Sequence, residues 1–94
     1  MQTIQMMVAY DPRMNRPLLI QAEWDPEASV WVATSQDVPG LVTEAETLEA
    51  LESKLKVLVP ELLEANGRLP DGPEVSMELL ARRMSVAQIH PSSP

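Results

Sequence analysis

Between Leu18 and Trp24 the chain alternates. Leu18, Ile20, Ala22 and Trp24 fall on one side, and Leu19, Gln21 and Glu23 on the other. A period of two is that of a strand. Asp25-Pro26-Glu27-Ala28 then reads as a turn, with Pro26 presetting φ and the Asp25 carboxylate able to accept backbone N–H groups. From Ser29 to Ser35 the alternation resumes, with Val30, Val32 and Thr34 opposed to Trp31 and Ala33. Two alternating runs joined by a short turn predict an antiparallel hairpin.

Asp37-Val38-Pro39-Gly40 is a second turn, in which Gly40 is free to take positive φ. Leu41-Val42-Thr43-Glu44 is long enough for a short third strand. The period then changes: Leu48, Leu51, Leu55, Leu58 and Leu62, widened by Val59 and Leu63, form a helical stripe. Thr47 is a natural N-cap, Glu46 and Glu49 lie where the helix dipole favours negative charge, and Asn66-Gly67 has the character of a C-cap. Glu52 and Lys56 are spaced for a weak ion pair on the wet side. Pro60 removes one helical hydrogen bond and clashes with the preceding turn, at a cost of roughly 3 kcal/mol. The stripe continues in phase beyond it, so a kinked helix is expected rather than a break.

Leu69-Pro70-Asp71-Gly72-Pro73 is a rigid turn. Val75, Met77, Leu79 and Ala81 then alternate with Ser76, Glu78 and Leu80, predicting a last strand. The expected fold is α+β: a two-layer domain with a three-stranded antiparallel sheet, a crossover helix and a fourth strand returning to the sheet. Residues 1–16 form an N-terminal extension. Its weak alternation (Ile4, Met6, Val8, Tyr10) suits an edge strand or a loose extension. Residues 17–84 form the domain, and residues 85–94, ending His90-Pro91-Ser92-Ser93-Pro94, a flexible C-terminal tail.

Composition narrows the class. Phe and Cys are both absent, so the core is aliphatic, filled by Leu, Val, Met and two Trp, with no disulfide framework or thiolate site. No apolar run reaches membrane-spanning length and no leader-like segment opens the chain, which points to a cytoplasmic protein with no membrane partner. The net charge of −7 is uneven: Glu23 to Glu78 holds thirteen acids against Lys54, Lys56 and Arg68. An acidic body repels phosphate, so direct nucleic-acid binding is not expected, whereas a basic partner suits it. Solubility charge is the plainer explanation.

Candidate chemistry is thin. Asp25, Glu27, Asp37, Glu44 and Glu46 fall near strand ends or turns, but their spacing gives no convergence of acids of the kind two-metal chemistry needs. Asp25 and Asp37 have simpler work as turn residues. His90 stands in the Pro/Ser tail, and Ser29, Ser35, Ser53, Ser76 and Ser85 have no base indicated by any motif. Trp24 and Trp31 have Glu23, Asp25 and Glu27 as neighbours rather than the basic residues of a base-stacking platform. Core packing for one and sheet-face covering for the other is the better reading. If Trp31 lies opposite the helix, it becomes an interface candidate. Arg82 and Arg83 are too few for a DNA-binding surface. No catalytic residue, metal ligand or cofactor is expected.

One stretch carries a resemblance. The hairpin Trp24-Asp25-Pro26-Glu27-Ala28-Ser29-Val30-Trp31-Val32-Ala33-Thr34-Ser35, then Val38-Pro39-Gly40-Leu41-Val42, Glu44-Ala45 and Thr47-Leu48-Glu49, resembles the HicB-like antitoxin family, particularly its branch of unknown-function proteins. Pro60-Glu61-Leu62-Leu63 and Asn66-Gly67 continue the likeness, which covers about Leu18 to Ala81. The resemblance implies a partial ribonuclease H-like fold without nuclease function. It also implies a partner, a HicA-type toxin: a small basic ribonuclease with a catalytic histidine, which the domain would bind and neutralise. Full-length HicB proteins commonly add a C-terminal DNA-binding module, and this chain ends too soon for one.

Glu23, Asp25, Glu27, Trp31, Glu44 and Glu46 border the hairpin and third strand and are the candidate partner-binding residues. Two other classes compete. One is a stand-alone self-associating scaffold, a homodimer formed through a free strand edge or an exposed Trp31. The other is a metal-dependent nuclease on a ribonuclease H-like scaffold.

Overall fold

The computed structural model describes residues 16–90; the alternating segment Met1–Tyr10 lies outside them. Strand β1 (Leu18–Asp25) and strand β2 (Val30–Thr34) form the expected hairpin, paired antiparallel with Ala22 opposite Ala33 and Trp24 opposite Trp31. Asp25 makes the turn as its chemistry suggests. Its Oδ1 accepts from the Glu27 and Ala28 N–H groups at 3.0 and 3.3 Å, and its carbonyl from Ser29 N–H at 2.7 Å. Ser29 closes the turn at φ 56, an uncommon conformation for a residue with a side chain.

Strand β3 (Val42–Ala45) pairs antiparallel with β2. It sits one residue later than the sequence suggests, because Leu41 is drawn into the core, 3% exposed, rather than into the ladder. Helix α1 (Leu48–Ala65) follows, with the Thr47 hydroxyl accepting from Ala50 N–H at 3.0 Å. Pro60 sits inside an unbroken helical span. The far end is a Schellman closure: Arg68 N–H donates to the Leu63 carbonyl and Gly67 N–H to that of Glu64, with Gly67 at φ 65. The only ion pair among the described residues is Arg16–Asp37; the expected Glu52–Lys56 pair does not form.

Strand β4 (Met77–Arg82) returns to the sheet beside β1 and parallel to it, giving the order β3-β2-β1-β4. The result is an α+β domain, a four-stranded mixed sheet with one helix on one face. Ile20, Ala22, Ala33 and Ala45 line the covered face and meet Leu51, Leu55, Val59 and Leu63 of α1, with Val38 and Leu41 closing the layer. Ala22 and Ala33 on the two central strands, with Ala45 on β3, let the helix approach closely. Each fully buried Leu of its stripe contributes on the order of 2 kcal/mol. Among the described residues, no helix is long and apolar enough to cross a membrane.

Both tryptophans lie on the helix side. The expectation that one would pack in the core and the other cover the opposite face is corrected by the register. Trp24 and Trp31 are cross-strand partners and so share a face, their rings 5.4 Å apart and edge-on at 63°. Arg83 stacks over the Trp24 ring at 4.3 Å.

Candidate partner-binding surface

With α1 on one side, the other face of the sheet carries no second layer from residues 16–90. Because side chains alternate, every residue out of phase with Ile20, Ala33 and Ala45 points to this open face. The pairing registers place Glu44, Val32, Glu23 and Arg82 in one row across all four strands. Neighbouring strands lie about 4.8 Å apart, so Glu23 and Glu44 are about 10 Å apart at the backbone with Val32 between them. A second row holds Val42, Thr34, Gln21 and Leu80, and Leu19 lies opposite Glu78. Val42 and Leu80 are 70% and 50% exposed. The open face is therefore apolar in patches and acidic between them, with Arg82 as the one cation in these rows among the described residues.

Of the residues singled out from sequence, the fold brings Glu23 and Glu44 together on this face. Asp25 stands at the end of β1 with one carboxylate oxygen committed to the turn, and Glu27 is exposed within that turn. Glu46 is exposed in the link into α1, beyond the end of β3. Trp31 does not join them. It is half-buried on the opposite side and packs against the core.

The most developed polar arrangement is one the sequence reading did not find. Asp37 accepts from both Arg16 guanidinium nitrogens, at 3.0 and 3.1 Å, and from Leu19 N–H at 2.8 Å. Ser35 Oγ donates to the Leu19 carbonyl and accepts from Asp37 N–H. The hydrogen bond from Arg16, with that from the Leu19 amide, holds the Asp37 carboxyl below its ordinary value. The same pairing raises Arg16. Arg16, Leu19, Gln21, Gln36 and Asp37 line an open cleft of about 290 Å³ at the margin of the open face. Its charges already neutralise each other, so its physical role is to tie the start of β1 to the turn before β3. Twenty-one residues separate Arg16 from Asp37, and no local pattern announces the pair. No group of three or more His, Cys, Asp or Glu gathers in metal-binding geometry among the described residues.

A family model described as a domain of unknown function, DUF1902, matches residues 17–89, and the chain belongs to that family. Among solved structures, the chain is similar to the hypothetical protein TTHA1013 from the extremely thermophilic bacterium Thermus thermophilus. The two are 53% identical with a TM-score of 0.59, over 79% of this chain and all of the other. No curated protein matches the chain.

Proposed function

We propose that this chain is a non-catalytic, HicB-like antitoxin-type domain that binds and neutralises a small basic HicA-type ribonuclease. The observation that carries the reading is the open sheet face, where Glu23 and Glu44 flank Val32 in one row ending at Arg82, and Glu78 lies four residues, about 13 Å, further along β4. Such a surface fits a partner that is basic around a small apolar centre. Acids spaced across a sheet repel a phosphate backbone and attract the protein surface that evolved to bind one. The strand order β3-β2-β1-β4, with β4 parallel to β1 after a helical crossover, is in keeping with a partial ribonuclease H-like arrangement. A nuclease of that type needs acids converging on metal, whereas here Asp25 serves the turn and Asp37 is paired with Arg16.

The test is co-expression of the chain with the product of any small basic reading frame found beside its own gene, with growth and cleavage of labelled RNA as readouts. The wild-type chain restores growth and suppresses cleavage. E23K/E44K, altered only at exposed positions where substitutions usually change stability by less than about 0.5 kcal/mol, stays folded and fails to do so. No complex with that product, or rescue untouched by the double reversal, overturns the proposal. Metal-dependent RNA cleavage by the chain alone, abolished by Asp25→Asn, favours the nuclease instead.

A further inference from the structure

The chain leaves β4 as an extended arm. Residues 83–90 adopt neither helix nor strand and all are exposed. Met84, Val86 and Ile89 are 84, 82 and 86% exposed, the highest values for large apolar side chains among the described residues. Covering such surface is the main favourable contribution to association. The arm is anchored where it starts, because Arg83 stacks over Trp24 and Trp24 is held edge-on by Trp31. The family match runs to residue 89, so the arm is part of the family's domain rather than appended sequence.

The sheet offers two outer edges to such an arm. That of β3 is four residues long, and Lys54 Nζ already donates to the Glu44 carbonyl at 2.6 Å, a lysine guarding an edge. That of β4 is six residues long, pairs only with β1, and has no such cover among the described residues. It is also continuous with the arm.

We propose that the arm of one copy pairs along β4 of a second copy, and reciprocally, joining two sheets edge to edge in a two-fold dimer. Two-fold symmetry makes the paired segments antiparallel, so each arm runs from the end of the other copy's β4 back to its start. The lengths agree: Met84 to Ile89 spans about 20 Å at ~3.3 Å per residue, and β4 likewise has six residues. Met84 and Val86 share parity with Leu80, so a register that keeps the faces aligned sets them beside the second copy's Leu80. Ile89 has the parity of Met77 and Leu79. It arrives at the start of the second copy's β4, where Pro60, Leu69, Pro70 and Val75 line a shallow apolar cleft of about 100 Å³.

The chain has no cysteine, which makes the test direct. Within one chain, positions 80 and 86 lie about 20 Å apart along the strand, beyond the ~7 Å Cα separation a disulfide spans. Oxidised L80C/V86C is expected to run as a covalent dimer, and T34C/V86C as a monomer. The wild-type chain is expected to sediment at twice its 10.4 kDa mass. V86D/I89D, altered only at exposed positions, is expected to keep its circular dichroism and dissociate at least tenfold more readily. Three results overturn the proposal: a wild-type chain still monomeric at about 100 µM; a dimer indifferent to V86D/I89D; or a dimer whose cross-linking at 80 and 86 does not exceed the control. A dimer tightened by Lys54→Ala but unmoved by the arm variants assigns the interface to β3 and equally overturns it.

Discussion

Replacing Asp37 by Asn removes a charge from the clamp that ties Arg16, Leu19 and Ser35 together while keeping its shape. The ion pair is a bidentate surface contact, with Arg16 53% exposed against 18% for Asp37, so solvent screens it and it adds little to stability. The Leu19 N–H at 2.8 Å exchanges a carboxylate acceptor for an amide oxygen. Hydrogen bonds to charged groups are worth ~1.5–3 kcal/mol and neutral ones ~0.5–1.5, so about 1 kcal/mol is lost. For a domain of this size that loss lowers Tm by roughly 4–8 °C. The pH dependence follows from the direction of the shift. The folded-state carboxyl ionises below its ordinary value of 3.8, so its stabilisation is full above that value and fades as pH falls through the lower folded one. Thermal melts of Asp37→Asn and wild type should therefore differ by a constant amount from neutral pH down to about pH 5 and converge as pH falls below the ordinary carboxylate range. Equal Tm values at neutral pH, or a gap that persists in acid, would refute this account of the clamp.

Two further substitutions probe the parts that hold the open face in place. Leu55→Ala, at a position 1% exposed under the sheet, is expected to cost about 2–5 kcal/mol in chemical denaturation, and a loss under about 1 kcal/mol would mean the helix layer is loosely packed. Thr47→Ala removes the acceptor for Ala50 N–H and is expected to cost about 1 kcal/mol, with an unchanged denaturation midpoint as the contrary result.

The hairpin, the helix with both its caps and the last strand were legible because each is written in a local period or a turn residue. Thr47, Asn66 and Gly67 do in the fold what their chemistry suggests. What was not legible depends on register between segments distant in sequence. In β2 the more apolar side is Val30 and Val32, yet Ala33 and Trp31 face the helix, because Ala33 sits opposite Ala22 and Trp31 opposite Trp24. Small residues win that face since the helix needs the space, and hydrophobicity alone points the other way. The parallel docking of β4 against β1 and the Arg16–Asp37 clamp are likewise long-range facts. For the surface, sequence supplied the acids but not their grouping. Glu23 and Glu44 meet across Val32, Asp25 turns inward to its own loop, and Trp31 belongs to the other side.

The most direct test of the open face as the binding surface is the amide spectrum of isotopically labelled chain, titrated with the purified small basic ribonuclease that the co-expression test identifies. At low salt the shifts are expected to cluster at Gln21, Glu23, Val32, Glu44 and Glu78, leave Leu51, Leu55 and Val59 unmoved, and weaken as salt shortens the Debye length to about 10 Å at 0.1 M. Shifts confined to α1 or to the Trp24–Trp31 side, or none at any salt concentration, would contradict it.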